Sequence, residues 1–202
     1  VEFSLFEANE IGLWPAPGAL AVDNTFRNNV SGIQYSGKEG RTFLRNVFQG
    51  NRSFGIEAYV DCWYFGGCDP STISGNVFSA NGTGIFIMGP IGTITGNLFQ
   101  ANKNGAISLQ PYEISTAGLI AHNTVLGNMS FGIRGGGAFV DIRNNNLVQN
   151  GETDLSWGIQ AGSKISAITN FWGVPAAQME TRVPDCTSDE NGCGAGSTKG
   201  EV

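Results

Sequence analysis

The stretch NTFRNNVSGI, residues 24–33, decides the fold, because variants of it return along almost the whole chain. The shared phrase is Asn, any residue, a large apolar residue, two more residues, a second Asn, and then Gly followed by an aliphatic residue. A repeat of this kind indicates structural units that cannot bury their apolar faces without their neighbours. The clear copies begin at Asn24, Asn46, Asn76, Asn97, Asn123 and Asn145, and degenerate copies begin at Ser4 and Asn170.

The spacing of the copies indicates which unit the repeat forms. Successive first positions are 20 to 30 residues apart. The shortest spacings suit a coil of about twenty-one residues, and the longer ones indicate inserted loops. The segments are short, rich in β-branched and aromatic residues, and punctuated by Gly and Asn, which predicts short strands separated by tight bends. We therefore expect coils whose strands pair in parallel with their equivalents about 4.8 Å away.

Stacked coils place equivalent side chains in columns. Asn at each bend would tolerate left-handed backbone and form amide ladders, whereas the Gly marks either a positive φ or a close approach of two backbones. The first interior column is predicted to contain Phe6, Phe26, Phe48, Phe78, Phe99, Val125, Leu147 and Trp172. The second contains Val1, Ala21, Phe43, Ile73, Ile94, Ile120, Ile142 and Ala167. The outward row after the Gly-aliphatic step runs Trp14, Gln34, Glu57, Phe86, Ile107, Arg134 and Gln160.

The repeat resembles the right-handed parallel β-helix repeats of the pectate-lyase-like superfamily, above all its secreted or periplasmic repeat proteins. Residues 168–173, ITNFWG, are similar to the NNWWG phrase that often closes those helices. The resemblance implies an all-β, single-stranded right-handed parallel β-helix, or solenoid, of about 7–8 coils over residues 1–173. Residues 174–202 leave the repeat and are expected to form an irregular C-terminal cap or tail.

Charge and hydropathy exclude some functions. The formal net charge is −6 and only 14% of residues are charged, which argues against a nucleic-acid partner. No apolar run approaches the length of a membrane-spanning helix, so no membrane insertion is expected. Whether the chain is a fragment of a longer protein stays open at this point.

The four cysteines form two local pairs, Cys62 with Cys68 and Cys186 with Cys193. Small disulfide-closed loops suit an oxidising compartment, which predicts a secreted, periplasmic or cell-surface protein. Free thiols or a metal site are the alternatives. Neither pair has zinc-knuckle spacing, and the single histidine, His122, lies far from both, so we expect no metal.

A catalytic constellation is not evident in the outward rows. Glu57 and Arg134 are three coils apart, about 14 Å, which is too far for a shared proton. The superfamily's lyases use a basic residue beside calcium held by several acids, and no such acids gather on neighbouring coils. Asp69-Pro70 lacks the histidine of the related epimerases, and we interpret His122 as structural and Asp141 with Arg143 as a surface ion pair. No cofactor is expected, except calcium if the protein is a lyase.

Two insertions carry aromatic and acidic residues beside the outward row. Rings next to carboxylates and amides are typical of carbohydrate platforms. The alternative is that the aromatic loop folds down and covers Phe86 and Ile107 as a small satellite core. The candidate carbohydrate-binding residues are Glu57, Tyr59, Asp61, Trp63, Tyr64, Phe86, Tyr112 and Arg134.

We interpret the chain as a repeat domain that contacts a polysaccharide or surface glycan and lacks a complete catalytic site. One alternative is a polysaccharide lyase, hydrolase or epimerase. The other is a structural or assembly domain, and the chain would be a monomer or an end- or side-stacked homo-oligomer. The sequence identifies neither the sugar nor the source organism.

Overall fold

Three parallel β-sheets, each of seven strands, form the part of the chain that the structure describes. The computed structural model describes residues 1–60, 68–110, 117–136, 139–158, 164–166 and 169–173. The first sheet contains β1 (Leu5–Glu7), β4 (Thr25–Arg27), β7 (Val47–Gln49), β10 (Val77–Ser79), β13 (Leu98–Gln100), β16 (Thr124–Leu126) and β19 (Asn146–Val148). The second contains β2 (Ile11–Leu13), β5 (Ser31–Ser36), β8 (Phe54–Tyr59), β11 (Thr83–Met88), β14 (Gly105–Gln110), β17 (Phe131–Gly136) and β20 (Thr153–Gly158). The third contains β3 (Leu20–Val22), β6 (Thr42–Leu44), β9 (Thr72–Ser74), β12 (Thr93–Thr95), β15 (Ala117–Ala121), β18 (Phe139–Arg143) and β21 (Lys164–Ser166).

The chain visits the three sheets in turn, and each strand pairs in parallel with its equivalent in the next coil. This topology confirms the predicted parallel β-helix, with a number of turns close to the seven to eight expected. Residues 174–202 lie outside the described residues, so the predicted C-terminal cap stays a prediction.

The first interior column is confirmed by a stack of phenylalanine rings. Neighbouring ring centroids are 4.7–5.0 Å apart, and neighbouring ring planes differ by only 3–9°. Each such pair contributes about 1 kcal/mol beyond simple area burial. The ring stack runs through Phe6, Phe26, Phe48, Phe78 and Phe99, and Val125 and Leu147 then continue the column in register.

The second interior column is confirmed from Ala21 to Ile142, whose members are in register and almost completely buried. Val1, predicted as its first member, is instead 52% exposed, because the first coil packs against a neighbour on one side only. Ala167 lies outside the described residues.

Two ladders of buried asparagines join the coils at the bends. In a typical step, the backbone N–H and the Nδ2 of Asn46 both donate to Oδ1 of Asn76, at 2.8 and 3.0 Å. The same Nδ2 also donates to the carbonyl oxygen of Ala21 at 2.9 Å. These bonds pair the amide groups that burial would otherwise leave without partners, a requirement for a stable interior. Asp154 ends the second ladder by accepting from Nδ2 of Asn150 at 2.7 Å.

The glycines of the repeat mark a close approach of neighbouring backbones. Gly32, Gly55 and Gly84 do not have positive φ. A Cβ there would lie 2.6–2.7 Å from a carbonyl oxygen of the next coil and 2.7–2.9 Å from its phenylalanine ring. The sequence left two explanations for these glycines, a positive φ or a close approach of two backbones, and the structure supports the close approach.

The predicted outward row is wrong at Ile107. Ile107 pairs with Ile85 in register and is fully buried, whereas Ser108 occupies the outward position beside Phe86. The reason is the position of the glycine, which lies one residue before the inward aliphatic residue at Ile85 and two residues before it at Ile107. Gly105 therefore pairs with Thr83, so the position of a glycine does not by itself predict the register.

The same slip affects the last position of the row. Leu155 pairs with Ile133, and Ser156 pairs with Arg134. Gly158, predicted to be equivalent to Gly132, pairs with Gly136. Ser156 rather than Gln160 therefore follows Arg134 in the outward row.

Candidate functional site

The outward side of the second sheet brings acidic, aromatic and basic residues together. Its strands of six residues present several outward positions each, because successive side chains alternate between the two faces. The corrected central row runs Gln34, Glu57, Phe86, Ser108, Arg134 and Ser156. We call the surface formed by Phe54, Glu57, Tyr59, Phe86, Phe131 and Arg134 the aromatic face.

Glu57 is a fixed carboxylate within this face. Its side chain is only 8% exposed. Tyr59 donates its phenol O–H to Oε1 at 2.7 Å, and the Ser31 hydroxyl donates to Oε2 at 3.0 Å. Hydrogen bonds to both oxygens offset part of the cost of burying the carboxylate. As a result, Glu57 anchors the surrounding side chains more than it projects towards a ligand.

Three rings surround this carboxylate. The centroids of Phe54 and Phe86 are 5.3 Å apart with the rings tilted by 36°. The Tyr59 ring meets Phe86 edge-on, with centroids 6.0 Å apart and an interplanar angle of 62°. Both geometries are favourable for aromatic pairs. Tyr59 remains 38% exposed, so part of this cluster is in contact with solvent.

Arg134 occupies the other end of the aromatic face. Its guanidinium carbon lies 4.2 Å from the centroid of the Phe131 ring, a cation–π geometry. Phe131 is 4% exposed and its ring lies against Gly105, where a Cβ would come within 2.3–2.5 Å of the ring carbons. The three ion pairs among the described residues involve other arginines.

The structure places half of the predicted carbohydrate-binding residues. Glu57, Tyr59 and Phe86 lie together, and Arg134 lies two coils beyond Phe86. The remaining four, Asp61, Trp63, Tyr64 and Tyr112, lie outside the described residues, so the question of a covering loop stays open. Sequence reasoning missed Phe54 and Phe131, because strict alternation from Glu57 and Arg134 would place both rings on the opposite face of the sheet. The ring contact of Phe54 with Phe86 and the guanidinium contact of Phe131 show that they belong to the aromatic face.

One predicted disulfide residue is described. Cys68 is disulfide-bonded. Its partner is not among the described residues, because Cys62, Cys186 and Cys193 all lie outside them. The pairing of Cys62 with Cys68, and that of Cys186 with Cys193, therefore stay predictions.

Three ion pairs lie elsewhere on the surface. The Arg27 guanidinium donates to both oxygens of Glu7, at 2.8 and 2.9 Å, and lowers the pKa of that carboxyl. Arg45 likewise donates to both oxygens of Asp23 and lowers the pKa of that carboxyl, at the bends that follow strands of the third sheet. Arg143 and Asp141 form the third pair, at 3.2 Å, as predicted.

A buried polar cluster supports the bend after β5 and is separate from the aromatic face. Arg41 is 2% exposed, and its guanidinium carbon lies 4.7 Å from the centroid of the Tyr35 ring. Its guanidinium donates to the carbonyl oxygens of Glu39 and Ser36, whereas the Tyr35 hydroxyl donates to Ser71 at 2.9 Å. Burial lowers the pKa of Arg41 and raises that of Tyr35. These contacts close the bend, which indicates a structural role.

Comparison with known proteins identifies one family. The profile described as "NosD: Periplasmic copper-binding protein (NosD)" matches residues 56–171, more than half of the chain. No curated protein and no solved structure shows a significant match to the chain. The matched region includes the whole aromatic face except Phe54. In the part of the chain that the structure describes, no helix is long and apolar enough to cross a membrane.

Proposed function

This chain belongs to the NosD family of periplasmic copper-binding proteins, and we propose that it is an exported repeat domain that binds carbohydrate on the aromatic face. The family is periplasmic, in agreement with the localisation that the sequence predicts. The family is also one of right-handed β-helices, in agreement with the observed parallel coils.

The observation that carries the proposal is the Tyr59–Phe86–Glu57 arrangement. Two rings lie edge to face on an outward sheet surface, and the Tyr59 hydroxyl is held by the Glu57 carboxylate. Rigid aromatic rings stack on the apolar faces of sugars, and neighbouring hydroxyl groups orient the sugar by hydrogen bonds. Tyr59 supplies both kinds of contact from one fixed position.

Copper binding is not supported by the described residues. Protein copper sites use imidazole, thiolate or thioether ligands gathered at one point. In the described ranges, no group of three or more His, Cys, Asp or Glu side chains could hold a metal ion. His122 is exposed in a bend with left-handed backbone, and Cys68 is disulfide-bonded rather than a free thiolate. We therefore derive no copper chemistry for this part of the chain.

The residues of the aromatic face favour carbohydrate binding over carbohydrate cleavage. Glycoside hydrolysis commonly needs two carboxyl groups within about 10 Å of each other. Glu57 is the one carboxylate among the described members of the central outward row, and both of its oxygens accept hydrogen bonds from hydroxyl groups. A polysaccharide-active enzyme remains the alternative function, which product formation would reveal.

The test is a glycan array followed by titration calorimetry with the oligosaccharides that bind. We expect Phe86→Ala and Tyr59→Ala to weaken binding at least tenfold (about 1.4 kcal/mol). The control is Phe171→Ala, which removes a ring that is 63% exposed and adjoins the first sheet. Binding that survives both face variants would contradict the proposal, and release of an unsaturated product would support the enzyme.

A further inference from the structure

We propose, building on the carbohydrate-binding function above, that Arg134 recognises an anionic group, carboxylate or sulfate, so that the ligand is an acidic oligosaccharide. Arg134 is exposed on the aromatic face. No acidic side chain among the described residues lies within ion-pair distance of it.

The contrast with three surface arginines that have acidic partners carries the first step. Arg27, Arg45 and Arg143 each pair with a carboxylate of this chain. Arg134 instead contacts an aromatic ring, in a protein whose formal net charge is −6. A guanidinium group binds a carboxylate or sulfate through two parallel N–H donors, and this one retains that capacity.

The second step is that Arg134 is held in place before any ligand arrives. Its guanidinium lies over Phe131, and the Phe131 ring lies over Gly105 of the preceding coil. Gly105 does not have positive φ, so the absence of a Cβ there makes room for the Phe131 ring and is not needed for the backbone conformation. Such preorganisation lowers the entropic cost of binding.

The third step concerns the size of the ligand. Phe86 pairs with Ser108, and Ser108 pairs with Arg134, so two coils separate the ring from the cation. This corresponds to about 9.6 Å along the axis of the solenoid. This separation favours a ligand longer than one sugar ring, and we therefore expect a chain of several sugars that lies parallel to the axis.

The experiment compares three oligosaccharides of equal length and linkage: neutral, uronate-containing and sulfated. Calorimetry of the whole chain at low salt should show about tenfold tighter binding of at least one anionic ligand, and this preference should fall as salt is added. The response to the uronate and to the sulfated ligand identifies which anion is recognised.

Variants then test the residue. Arg134→Gln should remove the preference for the anionic ligand, whereas Arg134→Lys should keep only part of that preference. Gly105→Ala should displace Phe131 and reduce the preference; if that variant fails to fold, the two Arg134 variants decide the question alone. The matched control is Arg52→Gln, which changes the same charge at an exposed bend off the aromatic face.

The outcomes separate the two proposals. Equal binding of neutral and anionic ligands that still depends on Phe86 overturns the role of Arg134 and leaves the carbohydrate function standing. An unchanged anionic preference in Arg134→Gln also overturns it. Absence of binding to every oligosaccharide overturns both proposals.

Discussion

The solenoid interior differs between the coils that contain Phe26 to Phe99 and the coils that contain Val125 and Leu147. In the first region each phenylalanine lies against a glycine of the preceding coil, as Phe99 does against Gly84. In the second region Ala106 takes the place of that glycine before Val125. Gly132 is kept before Leu147, but a Cβ there would first meet Asp154 and Asn150. The comparison indicates that the two positions are coupled. A ring in the column requires a residue without a Cβ in the preceding coil, whereas a smaller side chain tolerates a Cβ there.

The largest expected effect is the loss of a ring from the first region. Phe78 stacks on Phe48 and Phe99 with centroids 4.7 Å away on both sides. Phe78→Ala should lower the free energy of unfolding by about 4 kcal/mol, because it leaves a cavity and removes two stacked pairs. Denaturant unfolding measures this, with Leu126→Ala, an exposed outward residue, as the control. A loss no larger than that of the control would contradict the role of the stack.

The asparagine ladder, by contrast, should be equally important in both regions. The Nδ2 of Asn102 donates to Oδ1 of Asn128 at 2.8 Å, and the Nδ2 of Asn128 donates to Oδ1 of Asn150 at 2.8 Å. Asn102→Ala and Asn128→Ala should each cost about 3 kcal/mol of unfolding free energy, because each leaves buried donors without acceptors. The midpoints of denaturant unfolding of these two variants test the expectation of equal losses. A difference above about 1 kcal/mol would show that the ladder, like the ring stack, depends on region.

A substitution that extends the phenylalanine stack into the second region tests this coupling. Val125→Phe would extend the ring stack, but the new ring would meet the Cβ of Ala106, as the ring distances at Gly55 and Gly84 indicate. We expect a loss of about 2 kcal/mol from overpacking.

A double-mutant cycle supplies the control for this substitution. Ala106→Gly with Val125→Phe should regain most of the lost stability, although Ala106→Gly alone should not stabilise the protein. Additive effects of the two changes would mean that glycine and ring are independent.

The repeat predicted the interior well because equivalent positions carry the same or a similar side chain in most coils. The phenylalanine column, the asparagine ladders and the register of Ile73 with Ile94 all follow from a regular stack. Prediction failed at Ile107, because Gly105 has the appearance of the repeat glycine but accommodates Phe131 instead. The local sequence does not distinguish these two uses of glycine.

The candidate site was predictable only where alternation along one strand decides it. Glu57 and Tyr59 are two residues apart on β8, so they share a face, and Phe86 is next to Glu57 in the neighbouring coil. The bond from Ser31 to Glu57 joins residues 26 positions apart and depends on side-chain direction. The position of the Arg134 guanidinium depends on the Phe131 ring, which repeat spacing does not specify.

The smallest expected effect concerns the ion pairs of the N-terminal coils, which distinguish that region from the aromatic face. Hydrogen bonds from Arg27 and Arg45 hold the pKa values of Glu7 and Asp23 below their ordinary values of 4.5 and 3.8. A carboxyl whose pKa is lowered by folding stabilises the protein above its unfolded pKa, and this contribution is lost as the pH falls through the folded pKa. Glu7 is exposed and Asp23 is only partly buried, so the effect on stability should be small. Melting temperatures measured from pH 6 to about pH 3 should fall less steeply for the Glu7→Gln, Asp23→Asn double variant than for the unmodified chain. Identical slopes would show that these pairs, unlike the buried ladders beneath them, add nothing to the stability of the first coils.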